Sequence, residues 1–147
     1  MGYTGALKNQ YGLIPGVEKA QYHFKFQNRD HLADLMIDIN RTAKINLAIM
    51  DAVIGMEGPG PSGGTPRAIG AILASADLAA LDAVACSIIG INPDEYPLLQ
   101  AAKRGNYGNT SLDCDALSTV CILLGKEKAA KLIENTKNTE AVFIDRN

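Results

Sequence analysis

The stretch 47–90 decides the fold of the chain. It consists of four consecutive segments: LAIMDAVI (47–54), GMEGPGPSGGTPR (55–67), AIGAILAS (68–75) and ADLAALDAVACSIIG (76–90). In the first and third segments, the residues that would point to either face of a strand are mainly apolar, so neither segment has a polar face. A strand that is buried on both faces has this pattern. We therefore predict that Leu47–Ile54 and Ala68–Ser75 are adjacent central strands, with Gly70 marking a point where another backbone comes close.

Helical patterns flank the two predicted strands. Between Asp30 and Ala43 the apolar residues recur at i, i+3, i+4 and i+7, which is the spacing of an amphipathic helix that covers a sheet. Asn28, just before this helix, is its expected N-cap. A second helix is predicted for Asp77–Ile89, and the carboxylate of Asp77 can cap its first turn. The fold class is therefore α/β, with a central sheet of buried strands and helices packed on it.

Shorter signals lie outside this framework. Tyr22–Phe26 alternates between aromatic and polar residues like a short strand or an extended arm. After Gly90, a helix is expected to begin near Pro93, with acidic residues in its first turn, and to end at Gly105.

The loop between the predicted strands is the first candidate site. Five glycines and three prolines among residues 55–66 combine permissive and fixed φ angles, so the loop is shaped. One interpretation is a backbone nest that cradles an anion, with Arg67 adding positive charge and Glu57 or Asp51 serving as acid, base or metal ligand. The nest would use four glycines: Gly58, Gly60, Gly63 and Gly64. The alternative is a rigid connection that wraps the end of the sheet, since the loop has neither GxGxxG nor GxxxxGK[ST].

Asp82 is the second candidate. It lies among Ala, Leu and Val in the predicted helix, and a carboxylate in apolar surroundings must find a partner or shift its pKa. The alternative is exposure on the outer face of that helix. Capping already explains Asp77 without any chemistry.

Composition excludes several classes of function. A formal net charge of −2 provides no basic surface for nucleic acid. No apolar run is long enough to span a membrane, and the first residues lack the pattern of a signal peptide, so a cytoplasmic location is expected. Cys86, Cys114 and Cys121 form no CxxC pair, so this chain is expected to bind no iron–sulfur cluster by itself.

One long resemblance covers about residues 4–107. It is carried by TGALKNQYGLIPG (4–16), Tyr22-His23, IMDAVIGMEGPGPSGGTPRAIGAILASAD (49–77) and AALDAVACSIIG (79–90). These segments resemble the DUF362 family, an uncharacterised domain whose members are often joined to ferredoxin-like iron–sulfur modules. The resemblance implies that residues 1–107 correspond to the later part of that domain. It also implies a redox-associated role, with a ferredoxin-like module or a flavoprotein as partner.

A second, shorter resemblance covers about residues 111–145. Four segments carry it: Asp115-Ala-Leu-Ser-Thr119, CILLG (121–125), KEKAAKLIEN (126–135) and TEAVFID (139–145). They look like the C-terminal part of the FAD:protein FMN transferase (ApbE) family. The resemblance implies a helix–helix–strand segment over residues 108–147, Mg²⁺ held by Asp115 and Thr119, and FAD or FMN as cofactor. The residues alone have another interpretation: Asp115 stands at the N-terminus of a helix, and Thr119 forms a hydrogen bond to the backbone of the same helix.

Three functional interpretations follow from these resemblances. The first is a DUF362-type domain with a redox or iron–sulfur-associated role that carries an ApbE-like tail. The second is a fragment of a magnesium-dependent flavin transferase. The third is an inactive fusion or truncated fragment, and whether the chain is an enzyme stays open among them.

Overall fold

A computed structural model describes residues 2–60 and 62–111, together with helical positions 127, 130, 131 and 134. Between residues 2 and 111 the chain forms five α-helices and two β-strands, joined in part by 3-10 turns at Gln10–Leu13 and Pro93–Glu95. In chain order the elements are α1 (Ala6–Asn9), α2 (Gly16–Lys25), α3 (Arg29–Ala43), β1 (Ala48–Glu57), β2 (Thr65–Ser75), α4 (Leu78–Ile89) and α5 (Pro97–Arg104). This is a small α/β fold, as the sequence predicts.

The two strands form an antiparallel hairpin. Ala48 pairs with Ser75 at its base and Glu57 with Thr65 near its tip, so the predicted adjacency of the strands is confirmed. The register slips between the pairs Ala52–Ala71 and Ile54–Ala68, which gives β2 one extra residue. Gly70 lies within this bulge with a φ of 72°, a conformation that glycine adopts without steric cost.

The prediction that both strands are buried on two faces is wrong for the described part of the chain. Ala71 and Leu73 are buried against the helices, whereas Ile49, Ile54 and Ile72 are 69%, 66% and 48% exposed. The cause is the size of the sheet: with only two strands among the described residues, each is an edge strand, and the core lies against one face. Apolar alternation shows that a surface needs covering, but it does not show what covers it.

Helix α4 is the centre of the core. Its residues from Leu78 to Cys86 are buried, and it packs against α1, β2 and α5. Helix α3 packs against α5 and α1 on the neighbouring side. The core is therefore built by helices around α4, and the hairpin contributes mainly the half of its inner face that lies nearest its base.

The predicted capping residues are confirmed. Asn28 Oδ1 accepts from the backbone N–H of Asp30 at 2.7 Å at the start of α3. Asp77 Oδ1 accepts from the N–H groups of Ala79 at 2.9 Å and Ala80 at 3.1 Å at the start of α4. Each side chain satisfies donors that the first turn of a helix leaves without intrahelical partners.

Two local predictions need correction. Tyr22–Phe26, expected to be extended, belongs mostly to α2, which follows Pro15 and carries Glu18 in its first turn and Lys25 in its last. These are helix start and stop signals that the aromatic alternation obscured. The expected single helix from Pro93 to Arg104 is split, because Pro97 cannot continue the 3-10 turn as a hydrogen-bond donor and instead begins α5.

The predicted helix–helix–strand segment at residues 108–147 falls almost wholly outside the described residues, and Asp115 and Thr119 lie there with it. Among the helices that are described, none combines the length and the apolar character needed to cross a membrane.

Candidate functional site

Asp82 holds the start of α1 from the middle of another helix. Its side chain is fully buried in α4, and its Oδ1 accepts from the Ala6 N–H at 2.6 Å while Oδ2 accepts from the Leu7 N–H at 3.0 Å. Both donors belong to the first turn of α1. The N-cap residue of α1, Gly5, has no side chain that could accept hydrogen bonds from them. The carboxylate thus caps α1 across the core, and the alternative of an exposed Asp82 is excluded.

Gly5 makes this approach sterically possible. A Cβ at this position would collide with Asp82 Oδ1 and with the ring of Tyr3. The TGALKN segment therefore needs a residue without a side chain immediately before the two amides that Asp82 binds.

Asn40 holds the same turn from another helix, α3. It is fully buried in α3, and its Nδ2 donates to the Leu7 carbonyl at 2.9 Å and to the Met36 carbonyl at 2.7 Å. Its Oδ1 has no partner among the described residues. Sequence reasoning missed Asn40, although the available signal was an amide four residues after Met36, on the apolar face of the amphipathic helix.

Two tyrosines close the cluster. The rings of Tyr3 and Tyr96 meet edge to face at 5.3 Å, and Tyr96 donates its hydroxyl to the Tyr3 carbonyl at 3.2 Å. The Tyr3 hydroxyl lies 3.4 Å from Met50 Sδ of β1. These contacts join the start of the chain to β1 and to the turn before α5.

The titratable groups here are shifted mainly by burial. Burial raises the pKa of the Asp82 carboxyl to about 6, against the lowering effect of the hydrogen bonds from Leu7 and Ala6. Burial, followed by the charge of Asp82, raises the pKa of the Cys86 thiol to about 12 and also raises the pKa of the Tyr3 hydroxyl. A carboxyl that titrates near neutrality suits acid–base catalysis, but this one is sealed and both of its oxygens are bonded. Its geometry serves to position the first turn of α1.

The Gly/Pro loop lies at the tip of the hairpin, away from this cluster. Arg67 Nη1 and Glu57 Oε1 form an exposed ion pair at 3.2 Å just below the loop. Gly58 has a φ of 96°, and a Cβ at Gly64 would collide with Met56 and with the Glu57 carbonyl. The loop is therefore shaped by its glycines, as the sequence predicts.

The predicted site residues separate into three places. Glu57, Arg67 and the loop glycines lie together at the hairpin tip, and Asp82 lies in the core. Asp51 lies between them on β1, where its Oδ1 accepts from the Val53 N–H at 2.9 Å. Among the described residues no three His, Cys, Asp or Glu side chains come together in a way that could hold a metal ion.

Two surface cavities lie elsewhere. One, of about 370 Å³, runs between the first residues of the chain and β1, and the other, of about 550 Å³, lies beside α5. No loop residue lines either of them. Loops at the ends of strands border ligand pockets in open sheets with parallel strands, whereas these two strands are antiparallel. Ligand binding by the loop stays a prediction.

Comparison with known proteins places the chain among related sequences. Residues 1–87 match the family model described as a domain of unknown function, DUF362. The chain is 31% identical over 111 residues to the thylakoid-associated protein sll1697 of Synechocystis. That match covers 75% of this chain and 35% of the Synechocystis protein, so the chain spans about a third of its relative's length. No solved structure matches it significantly. Neither match names a flavin transferase, so the ApbE resemblance stays a prediction.

Proposed function

Because the chain belongs to the DUF362 family, we propose that it acts as a binding module in a redox or iron–sulfur-associated assembly and meets its partner through the Gly/Pro loop. The partner class is a ferredoxin-like iron–sulfur module or a flavoprotein, which is what the family resemblance implies. The loop would contribute backbone N–H groups together with the charges of Glu57 and Arg67.

The observation that carries this proposal is the construction of the hairpin tip. The loop is exposed, fixed by the positive φ of Gly58 and by the close approach at Gly64, and flanked by one acidic and one basic side chain. An exposed ion pair of this kind contributes about 0–1 kcal/mol to stability, so both charges can turn to a partner at little cost. A pre-shaped loop also loses less conformational entropy on binding than a flexible one.

The core cluster supports the same division of roles. The polar atoms of the core cluster form hydrogen bonds that hold the start of the chain, through Asp82, Asn40 and Tyr96. The Cys86 thiol is buried, and its pKa is raised. The three cysteines of the sequence form no CxxC pair, so we assign any iron–sulfur cluster of the assembly to the partner. The described residues of this chain supply surface and shape.

Amide chemical-shift mapping tests the proposal. The full chain labelled with ¹⁵N is titrated with a [4Fe–4S] ferredoxin and, separately, with inorganic phosphate. We expect the largest shifts or line broadening at the amides of the non-proline residues among 57–67, with residues 78–89 of α4 as the internal control. Saturation without any change at 57–67 would refute the loop as the binding surface.

A second candidate function rests on the tail motif. Asp115 and Thr119 stand four residues apart, the spacing that places two oxygen ligands on one helix face, and their motif resembles that of the flavin transferase family. This function predicts saturable Mg²⁺ binding by the chain in the presence of FAD, measured by calorimetric titration. Loss of that binding in Asp115→Ala, with a Glu127→Ala variant unaffected, would support it; no binding by the unmodified chain would eliminate it.

The location of the protein in the cell is a separate proposal. We place the protein in the cytoplasm, as its sequence suggests, and the Synechocystis relative bears the name thylakoid-associated. Flotation with vesicles of thylakoid-type galactolipids distinguishes a cytoplasmic from a membrane-associated protein. Recovery in the lower fractions supports the cytoplasmic assignment, and co-flotation contradicts it.

A further inference from the structure

Residues 47–50, here called the β1 edge, comprise Leu47 and the first three residues of β1, and they lie next to a groove. Within residues 2–111 the sheet has only the strands β1 and β2, so the side of β1 that faces away from β2 has no strand beside it. An edge of this kind presents backbone N–H and C=O groups to another chain. We infer that the β1 edge pairs with the β1 edge of a second copy of this chain, forming a four-stranded sheet across a two-fold axis.

The two edges of the hairpin differ in how they are protected. Along β2, Pro66 lacks an N–H, Arg67 carries a charge, and the bulge at Gly70 bends the strand. Natural proteins use these three devices to prevent pairing at a sheet edge. Residues 47–50 contain no proline, no charge and no register slip, so none of these devices protects the β1 edge.

The groove beside the β1 edge selects an uncharged strand. It has a volume of about 370 Å³, and its ten lining residues, drawn from 4–10 and 45–50, include no charged side chain. A charged strand would lose hydration there without gaining a counter-charge. The stretch 47–50 of a second copy is itself uncharged and apolar, and its exposed residues Leu47 and Ile49 offer apolar area to bury.

Charge also fixes the register. Asp51 follows the uncharged stretch directly, and two Asp51 side chains opposite each other would repel. Antiparallel pairing centred on Ile49 avoids this, because it sets Ile49 against Ile49 of the second copy and Asp51 against Leu47 of the second copy. The inference uses neither the Gly/Pro loop nor a redox partner, so it holds or fails independently of the proposed function.

Sedimentation velocity of the full chain tests it, with two matched variants. Ile49 and Ile54 lie on the same strand and are almost equally exposed, at 69% and 66%, but only Ile49 lies on the proposed interface. We expect a concentration-dependent monomer–dimer equilibrium in which Ile49→Lys raises the dissociation constant at least about tenfold, because two lysines then face each other, while Ile54→Lys changes it less than about threefold. A chain that stays monomeric up to several hundred micromolar, or equal weakening by both variants, would overturn the inference.

Cross-linking tests the register. In a background with Cys114→Ser and Cys121→Ser, Ile49→Cys should form an intermolecular disulfide on mild oxidation, because directly opposite residues of antiparallel strands lie within bonding range. Ile54→Cys should form such a disulfide at least about tenfold more slowly, since the pairing places it away from the axis. Equal rates at the two positions would contradict the proposed pairing. The remaining cysteine, Cys86, is buried.

Discussion

The Asp82 carboxylate accepts a hydrogen bond of 2.6 Å from the backbone N–H of Ala6, which lies 76 residues earlier in the chain. With the second bond to Leu7, this contact attaches the beginning of the chain to the central helix α4. A helix as short as α1 does not persist without such tertiary support. The relationship explains why a carboxylate stands among alanines and leucines in the core.

Asp82→Ala should lower the free energy of unfolding by about 2–4 kcal/mol, because two buried N–H groups lose their acceptor. Chemical denaturation followed by circular dichroism gives this value. Asp94→Ala is the matched control, since Asp94 is exposed and its contact with Lys103 spans 3.7 Å. That control should stay within about 0.5 kcal/mol of the unmodified chain. Equal costs for the two variants would remove the capping role of Asp82.

The contribution of Asp82 should also depend on pH, in a direction opposite to that of most carboxylates. The folded protein binds this proton more tightly than the unfolded chain, since the pKa is about 6 against a reference of 3.8. The pH-dependent part of its stabilising contribution is therefore complete below the unfolded pKa and is lost as the pH rises through about 6. The pKa difference corresponds to about 3 kcal/mol in total.

Comparison with Asp82→Asn isolates this effect from the other carboxylates. The stability advantage of the unmodified chain over Asp82→Asn should shrink between about pH 4 and pH 7, measured by urea unfolding at successive pH values. A difference that is constant, or that grows with pH, would show that Asp82 is not the group responsible.

Gly5→Ala should destabilise the protein by about 1–3 kcal/mol, because the new methyl group would collide with the Asp82 carboxylate and the Tyr3 ring. Gly12→Ala provides the control in the same part of the chain, since nothing lies within 4 Å of a Cβ built there. That variant should be neutral or slightly stabilising, because alanine restricts the unfolded chain. Thermal unfolding of the two variants side by side decides the point.

Asp77→Ala should cost about 1–2 kcal/mol, more than Asn28→Ala at the start of α3. Both residues cap a helix, but Asp77 Oδ2 also accepts from the Asn109 N–H at 2.6 Å and so holds the chain after α5. Hydrogen exchange provides a second measurement: the amide of Asn109 should lose protection in Asp77→Ala and keep it in Asn28→Ala. An unchanged exchange rate at Asn109 would argue against this tie.

Local features of the fold could be predicted from the sequence. The caps Asn28 and Asp77 and the helix termination at Gly90 depend on residues within one or two turns of each other, and the two adjacent strands are consecutive in the chain and joined by the Gly/Pro loop. Such short-range chemistry is visible in a single sequence.

Long-range relationships could not be predicted in the same way. The pattern around Asp82 indicated that it needs a partner, but nothing in it named the amides of Ala6 and Leu7. The apolar strands indicated burial, and the structure leaves Ile49 and Ile54 exposed because the described residues cover one face of the sheet. The Gly/Pro loop was recognised as shaped, whereas its place at the tip of an antiparallel hairpin needed the strand pairing.

The claim that the hairpin tip is the binding surface is tested most directly by two arginine variants. Arg67 pairs with Glu57 beside the loop at 3.2 Å, and Arg104 pairs with Asp34 far from the loop in sequence at 2.8 Å, with comparable exposure of the two arginines. The dissociation constant for a [4Fe–4S] ferredoxin is measured by calorimetry for Arg67→Ala and Arg104→Ala. We expect Arg67→Ala to weaken binding about tenfold, as the loss of one charged contact of about 1.4 kcal/mol would, and Arg104→Ala to leave it unchanged. Equal affinities for both variants and the unmodified chain would contradict the assignment of the hairpin tip.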